Sequence, residues 1–281
     1  MNKVNYLFVF FSVTKLLLAA GYNQQWPASR DGKRVTLLDL KNPSKSCNLQ
    51  KFPYPLNRAV GGFTTVGPMV CGGLYENYDV WNNPDVTRTF CDECYGLQPN
   101  GQFVELDLAL DNARVGGSTI VTKDGNLILS GGYFDDGGLY YDRWSRLENS
   151  EILKVQEGTT ENGFNLPAEF PVTCSTRINT TTAILLGRKS TFFVNLDTLQ
   201  VSNGPEMVEE SRFNFGCAVF EHNQHTFVIA TNDMNSTEVL DLDASPLNWS
   251  RGKTTKPSSL NIDPAQLWYH YRTTFTKKSA Q

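Results

Sequence analysis

The stretch RVGGSTIVTKDGNLILSGGYF, from Arg114 to Phe134, contains a strand-turn-strand pattern that ends in two glycines. Two β-prone runs, residues 118–122 and 126–130, flank the tripeptide Lys123-Asp124-Gly125, and a glycine pair follows the second run. Asp-Gly between such runs is a strong hairpin signal, because glycine readily adopts the positive φ of a tight turn. Two glycines at the end of a strand indicate a point where the chain turns or lies close to other backbone. The stretch therefore predicts a hairpin that ends at a crowded place.

The same layout recurs along the chain, in residues 61–73, 114–134, 174–189 and 215–233. In the first copy we predict the turn at Val66-Gly67-Pro68. The glycine pair is intact in the first two copies, shrinks to Gly187 in the third and is replaced by Ala230-Thr231 in the fourth. The second positions of the pairs, 73, 132, 187 and 231, lie 59, 55 and 44 residues apart. This spacing is close to the period of about 50 residues that one four-stranded Kelch blade occupies.

Each hairpin is followed by a third β-prone run, in residues 95–97, 150–155, 191–196 and 237–242, and a fourth run, residues 102–108, comes after the first of them. The array resembles the secreted, cysteine-containing kind of Kelch-repeat β-propeller over residues 35–250. The resemblance implies an all-β fold with about four recognisable four-stranded blades, or five if the ring closes irregularly. A β-sandwich with coincidentally similar hairpins is the alternative.

The composition limits the classes of partner. The chain has 281 residues, a net charge of -4 and no basic run. Nucleic acids and anionic membrane surfaces are bound through clustered basic residues, so neither is expected as a partner.

The first residues predict export. Lys3 precedes an apolar segment that ends in Ala19, Ala20 and Gly21, which is typical of a secretory signal peptide at residues 1–21. An uncleaved membrane anchor is the alternative, but Lys15 leaves the apolar run shorter than the roughly 20 residues of a membrane span. We therefore predict a secreted protein without stable membrane insertion, in which residues 22–257 form the propeller and residues 258–281 an irregular tail.

Sequons and cysteines agree with export. Three sites have the glycosylation pattern, at Asn179, Asn235 and Asn248. The even set of six cysteines is typical of disulfides in an oxidising compartment, where fifteen connectivities are open. The resemblance implies three particular pairs, Cys174 with Cys217 on neighbouring inner strands, Cys71 with Cys94 on paired strands, and Cys47 with Cys91 as the remainder.

Candidate chemistry is sparse. The spacing of Cys91 and Cys94 is that of a redox or zinc site, but no second such pair and no histidine cluster accompanies it. His222 and His225 could bind a metal, yet both fall on a predicted turn. The copper, carboxylate-pair and nucleotide-loop patterns of known enzymes are not recognisable, so we expect no catalytic residue, metal or cofactor. The alternative is a divergent carbohydrate-acting propeller enzyme of the oxidase or glycosidase type, because propeller sites are assembled from distant loops. An intracellular ubiquitin-ligase adaptor of the Kelch type is disfavoured by the export signal.

Two long connections are the candidate binding surface. They carry aromatic and arginine side chains of the types that dominate protein interfaces, namely Tyr75, Tyr78, Trp81, Arg88, Tyr140, Tyr141 and Trp144. We expect these loops to bind an extracellular protein or a glycan, although aromatic residues that cover a blade edge are the plainer interpretation.

The array is short for a closed ring. Residues 35–40 have the pattern of the third strand of a blade whose first two strands should come from the C-terminus, and residues 258–281 lack a matching hairpin. The chain is therefore either an irregular ring of about five blades or a truncated propeller. An unclosed ring would leave strand edges that can pair with a second chain.

Overall fold

The structure is a computed structural model that describes residues 4–12, 15–23, 35–39, 41–45, 47–53, 56–76, 88–135, 144–167, 172, 174–209, 216–231 and 237–252. Strands dominate these residues, which contain one short 3₁₀ turn, Pro43–Lys45, and no α-helix. None of the described segments is a helix that could cross a membrane. The chain divides into two compact units, Met1–Pro171 and Val172–Gln281.

The first unit contains three four-stranded antiparallel sheets, which we call blades I, II and III. Blade I consists of β1 (Val4–Ser12), β2 (Lys15–Asn23), β3 (Thr36–Asp39) and β4 (Cys47–Asn48). The short strand β5 (Leu56–Asn57) follows. Blade II consists of β6 (Val60–Thr64), β7 (Gly67–Cys71), β10 (Glu93–Leu97) and β11 (Phe103–Ala109). Blade III consists of β12 (Ser118–Val121), β13 (Leu127–Ser130), β16 (Asn149–Lys154) and β17 (Thr159–Asn165).

Two small hairpins interrupt blades II and III between their second and third strands. We call them satellite hairpins. The first consists of β8 (Leu74–Glu76) and β9 (Arg88–Phe90), and the second of β14 (Tyr133–Asp135) and β15 (Trp144–Arg146). Strand β5 pairs with β8, so the first satellite is part of a three-stranded sheet.

The second unit contains blades IV and V, in which strands pair in chain order. Blade IV consists of β18 (Cys174–Arg177), β19 (Thr182–Gly187), β20 (Ser190–Asn195) and β21 (Val201–Asn203). Blade V consists of β22 (Gly216–His222), β23 (His225–Thr231), β24 (Thr237–Asp241) and β25 (Trp249–Arg251). The chain is therefore all-β and built of propeller blades, as the sequence predicts.

The hairpins at the glycine pairs are confirmed with small shifts. The turn of the Lys123-Asp124-Gly125 hairpin lies as predicted, with Gly125 at a φ of 77°. In blade II the turn lies at Thr65-Val66 and not at Val66-Gly67-Pro68, because Gly67 already pairs with Thr64. Gly67 has a φ of 107°, the positive value that brings the chain back into the ladder after the turn.

The central strands of the blades form the core. β13 and β19 are mostly apolar and are buried on both faces, whereas the outer strands β11 and β17 are largely exposed. The core between blades II and III consists of Val60, Met69, Cys71, Cys94, Leu108, Leu110, Leu127, Leu129 and Leu153. Strands buried on both sides lose their alternation, which is why periodicity alone does not distinguish them from a segment of buried helix.

The first two strands of blade I come from the N-terminus and not from the C-terminus as expected. β3 pairs with β2, so that Leu16 faces Leu38 and Leu17 faces Leu37. The apolar residues that predict a signal peptide thus also satisfy the open edge of β3. The predicted peptide at residues 1–21 overlaps β1 and most of β2. The tail, residues 258–281, lies outside the described residues.

Candidate functional site

Each satellite hairpin rises from a glycine pair. β7 ends at Cys71, and Gly72 and Gly73 follow at φ values of 63° and 105° before β8 begins. A Cβ on Gly72 would lie 2.7 Å from the carbonyl oxygen of Arg114. Only glycine satisfies both the positive φ and this close approach.

The second glycine pair repeats this arrangement in blade III. Gly131 and Gly132 have φ values of 65° and 98° and connect β13 to β14. A Cβ on Gly132 would lie 2.9 Å from the carbonyl oxygen of Gly116. The crowding predicted from the sequence is therefore a contact with the segment of residues 114–117, which we call the strap.

The strap is hydrogen-bonded to both satellite sheets. The amide of Gly73 donates to the carbonyl of Arg114 over 2.7 Å, and the amide of Gly116 donates to the carbonyl of Arg58, next to β5, over 2.8 Å. Val115 and Tyr133 exchange two backbone hydrogen bonds of 2.9 and 3.0 Å. Because one short segment holds both bases, the two satellite hairpins are fixed relative to each other.

A buried ion pair anchors the strap. The Arg114 side chain is 1% exposed; its Nη1 donates to the carbonyl of Gly131 over 3.0 Å, and its Nη2 contacts the Glu151 carboxylate. Burial lowers the pKa of the Arg114 guanidinium, and the charge and hydrogen bond of Glu151 oppose that shift. An arginine remains protonated even so, so the pair is ionic.

Glu151 also holds the connection that enters blade III. Its carboxylate accepts the amide of Asp111 over 2.7 Å and the side-chain amide of Asn112 over 3.1 Å. In blade V, Glu238 takes the same place after the first residues of the third strand, and accepts the amides of Val208 and Glu209 over 2.7 and 2.9 Å. Sequence reasoning missed these two glutamates, although each is the second residue of a predicted third strand and follows a small hydroxyl residue.

The structure places three of the predicted binding residues on the strands of the satellites. Tyr75 lies on β8, Arg88 on β9 and Trp144 on β15. Tyr75 is half-buried and packs against the core that contains Phe52 and Leu56, so part of its role is structural. The other four, Tyr78, Trp81, Tyr140 and Tyr141, lie outside the described residues.

Two disulfides join the cysteines as predicted. Cys71 and Cys94 bridge β7 and β10 with a Cα–Cα distance of 4.1 Å. Cys174 and Cys217 bridge the first strands of blades IV and V with a Cα–Cα distance of 5.9 Å. Because Cys94 is bonded to Cys71, the Cys91–Cys94 spacing does not form a redox or zinc pair.

The third predicted pair, Cys47 with Cys91, is wrong in this structure. Both are free thiols, Cys47 exposed on β4 and Cys91 buried in the core. The prediction by remainder assumes that every cysteine is bonded. Burial, reinforced by the charge of Glu93, raises the pKa of the Cys91 thiol to about 12. At neutral pH it is a protonated, unreactive side chain.

A histidine and two aspartates meet at one end of blade V. His225, Asp241 and Asp243 bring their ligand atoms within 4.8 Å of one another, an arrangement that sequence reasoning missed. The imidazole Nδ1 lies 2.9 Å from Asp241, and Asp243 accepts the amide of Thr226 over 2.6 Å. Partial burial raises the pKa of Asp241, but hydrogen bonds from Asp243 and His225 outweigh it, so that the pKa lies below its ordinary value. These hydrogen bonds join β23 to the end of β24, which explains why the three side chains lie together.

His222 and His225 flank the β22–β23 turn and form the last pair of that ladder. Asn223 and Gln224 occupy the turn with φ values of 50° and 67°. The sequence thus places both histidines correctly at this turn. The ligand atoms that lie close to the His225 imidazole belong to Asp241 and Asp243, and Asp241 is 16 residues further along the chain.

No protein-family model matches the chain, and no curated protein matches it. Among solved structures, that of YjhT is similar, with a TM-score of 0.60 over 81% of this chain and 72% of that chain. The two sequences are 12% identical, so the likeness concerns the fold alone. It agrees with the propeller-blade architecture.

Proposed function

We propose that this chain is an extracellular, non-catalytic Kelch-type propeller protein that binds a protein or a glycan through the two satellite hairpins of blades II and III. The observation that carries the proposal is the strap, which holds both hairpins by backbone hydrogen bonds at their bases. A binding surface that is fixed before its ligand arrives loses less conformational entropy on binding. The glycine pairs, which define the repeat, lie at the bases of the two hairpins that form this surface.

The side chains of the hairpins agree with such a role. Arg88 and Trp144 lie on the described strands, and the connecting residues 77–87 and 136–143 contribute a tryptophan, three tyrosines and several asparagine and aspartate residues. Aromatic and arginine side chains supply much of the affinity of protein interfaces. Amide and carboxylate groups provide the hydrogen bonds that orient a polar ligand.

The proposed location rests on independent features. The N-terminal residues have a signal-peptide pattern, and the disulfides Cys71–Cys94 and Cys174–Cys217 are typical of oxidising compartments. Kelch membership is supported by the glycine pairs and their spacing, and the equivalent buried glutamates, Glu151 and Glu238, support a repeated blade.

The proposal is tested by producing the full chain in cells that secrete proteins and applying it to arrays of glycans and of extracellular protein domains. Saturable binding to one ligand class, with the ligand recovered unchanged, supports a binding module. Turnover of a sugar by the purified protein, lost after a single loop substitution, would show a propeller enzyme instead. Retention of the chain in the cytosol would contradict the extracellular role.

A further inference from the structure

We propose that Asn179 is an N-glycosylation site whose glycan covers one end of blade IV, and that Asn248, although it has the same sequence pattern, is poorly used. This inference rests on the proposed extracellular function. It concerns which acceptor is chemically available, a question that the sequence pattern alone leaves open.

Asn179 lies exposed at the tip of the β18–β19 turn. Its Oδ1 accepts three hydrogen bonds, from the amides of Thr181 and Thr182 over 2.9 and 2.8 Å and from the Thr181 hydroxyl over 3.2 Å. Because Oδ1 faces these donors, Nδ2 on the other side of the planar amide is directed away from the turn. Among the described residues, none accepts a hydrogen bond from Nδ2, so the nitrogen is available in the folded chain.

In Asn248, unlike Asn179, the amide nitrogen itself makes a hydrogen bond. Its Nδ2 donates to the carbonyl of Pro246 over 3.4 Å. The middle residue of its sequon, Trp249, is buried on β25 and its Nε1 donates to the Thr191 hydroxyl of blade IV over 3.0 Å. The third residue, Ser250, donates its hydroxyl to the carbonyl of Val239 over 3.2 Å. Asn248 itself is exposed just before β25, but the next two residues of the sequon are paired with β24, so an enzyme can draw the sequon into its site only when β24 and β25 are apart.

Transfer of an oligosaccharide requires an accessible asparagine Nδ2, which Asn179 provides. With an oligosaccharide linked to a lipid diphosphate as donor, a bond forms between Nδ2 and the anomeric carbon of the first sugar. The bond from that carbon to the diphosphate oxygen breaks, the lipid diphosphate leaves, and Nδ2 loses one proton. An exposed Nδ2 and a turn that leaves the enzyme free access favour this reaction after folding as well as before it.

The position of Asn179 also determines what the glycan covers. In an antiparallel blade the first and third turns lie at one end, and the connection between the second and third strands lies at the other. Asn179 is on the first turn, whereas Arg188 and Lys189 make the second connection of blade IV. A glycan on Asn179 therefore leaves the end of the blade with Arg188 and Lys189 uncovered.

The test uses the full chain expressed in cells with a glycosylating secretory pathway, analysed in both the medium and the membrane fraction. Peptide N-glycosidase treatment in ¹⁸O-water, followed by peptide mass spectrometry, identifies each asparagine that carried a glycan by its conversion to labelled aspartate. We expect labelling at Asn179 in most molecules and at Asn248 in a small fraction. Asn179→Gln and Thr181→Ala should each remove the label at position 179, the second while retaining two hydrogen bonds to Oδ1, and the matched control Asn248→Gln should leave it unchanged.

The outcomes separate this inference from the proposed function. Chain in the medium with unlabelled Asn179, or with Asn248 labelled more than Asn179, would overturn the inference while leaving export intact. Labelled Asn179 on chain that stays in the membrane fraction would support the inference and contradict secretion. Chain found only in the cytosol without any label would overturn both.

Discussion

At the residue scale, the buried Arg114 side chain holds the strap in place. It is one of the largest fully buried side chains, and it connects the strap, the glycine pair of blade III and Glu151. A buried ion pair adds little net stability compared with an apolar pair, but removing one partner leaves a buried charge without compensation. The contribution of the Arg114–Glu151 pair to the fold is therefore that it positions the strap.

Arg114→Met should lower the free energy of unfolding by about 3–5 kcal/mol, because Glu151 would stay buried without its cation. Urea denaturation followed by tryptophan fluorescence measures the change. The matched control is Lys189→Met, which breaks the exposed pair with Glu206 and should cost less than about 1 kcal/mol. Equal costs for the two variants would show that the buried pair is not what holds the strap.

The buried Cys91 thiol makes the free energy of unfolding fall as the pH rises. The ordinary thiol pKa of 9.0 is raised to about 12 in the folded chain, so the folded state keeps a proton that the unfolded state loses. The stabilisation is complete below pH 9.0 and disappears as the pH rises towards about 12, by up to about 1.4 kcal/mol per pH unit. The difference in unfolding free energy between the wild type and Cys91→Ala should follow this course.

The same burial predicts selective labelling. Cys47, which is exposed, should react with a thiol reagent in the native state, whereas Cys91 should react only after unfolding. Rapid native labelling of Cys91, or a wild-type minus Cys91→Ala difference that does not change with pH, would contradict its buried position.

At the element scale, the glycine pairs are the hinges of the satellite hairpins. Gly132→Ala should cost about 1–2 kcal/mol for the positive φ, and more because the new Cβ would displace the strap carbonyl of Gly116. Gly116→Ala is the control, since Gly116 also has a positive φ, 71°, but a Cβ added there would meet no heavy atom within 4 Å. Hydrogen exchange should rise in β14 and β15 for the first variant and remain low for the second. Equal exchange in the two variants would show that the strap contact does not order the hairpin.

The Cys174–Cys217 disulfide should be worth more than an ordinary contact. It closes a segment with a sequence separation of 43 residues, for which the chain-entropy estimate is about 4 kcal/mol. Cys174→Ser with Cys217→Ser should lower the unfolding free energy of the second unit by that order, measured by denaturation under non-reducing conditions. A loss below about 1 kcal/mol would mean that the first strands of blades IV and V are held together by packing alone.

Much of the fold is predictable because its signals are local. The hairpin after Arg114 depends on the turn at Gly125 and on neighbouring β-prone runs, and both lie in consecutive residues. The sequence predicts loops where the satellites lie, because β8 and β14 are three residues long and their pairing depends on partners beyond a gap. The contact of Arg114 with Glu151 joins residues 37 positions apart in two elements, so no local pattern indicates it.

At the scale of the whole molecule, the sequence of the N-terminal segment is compatible with two roles, a signal peptide and the first two strands of blade I. An apolar run of β-branched, aromatic and leucine residues suits the core of a signal peptide, and it equally suits the strands that pair with β3. If the peptide is removed near Ala20, β1 and most of β2 are lost and the edge of β3 opens. An open edge accepts a strand from another segment or chain, which is the self-association expected from the sequence.

If the two satellite hairpins form one binding surface, both contribute to the Kd of the ligand found on the arrays. Residues 77–87 are replaced by Asn-Gly in one variant and residues 136–143 in another, which keeps the pairs Glu76–Arg88 and Asp135–Trp144 next to a two-residue turn. We expect each variant to raise the Kd at least tenfold while the melting temperature stays unchanged. The control Val66→Arg, at the exposed β6–β7 turn on the opposite end of blade II, should leave the Kd unaltered. A Kd that neither hairpin replacement changes would show that the ligand binds elsewhere on the protein.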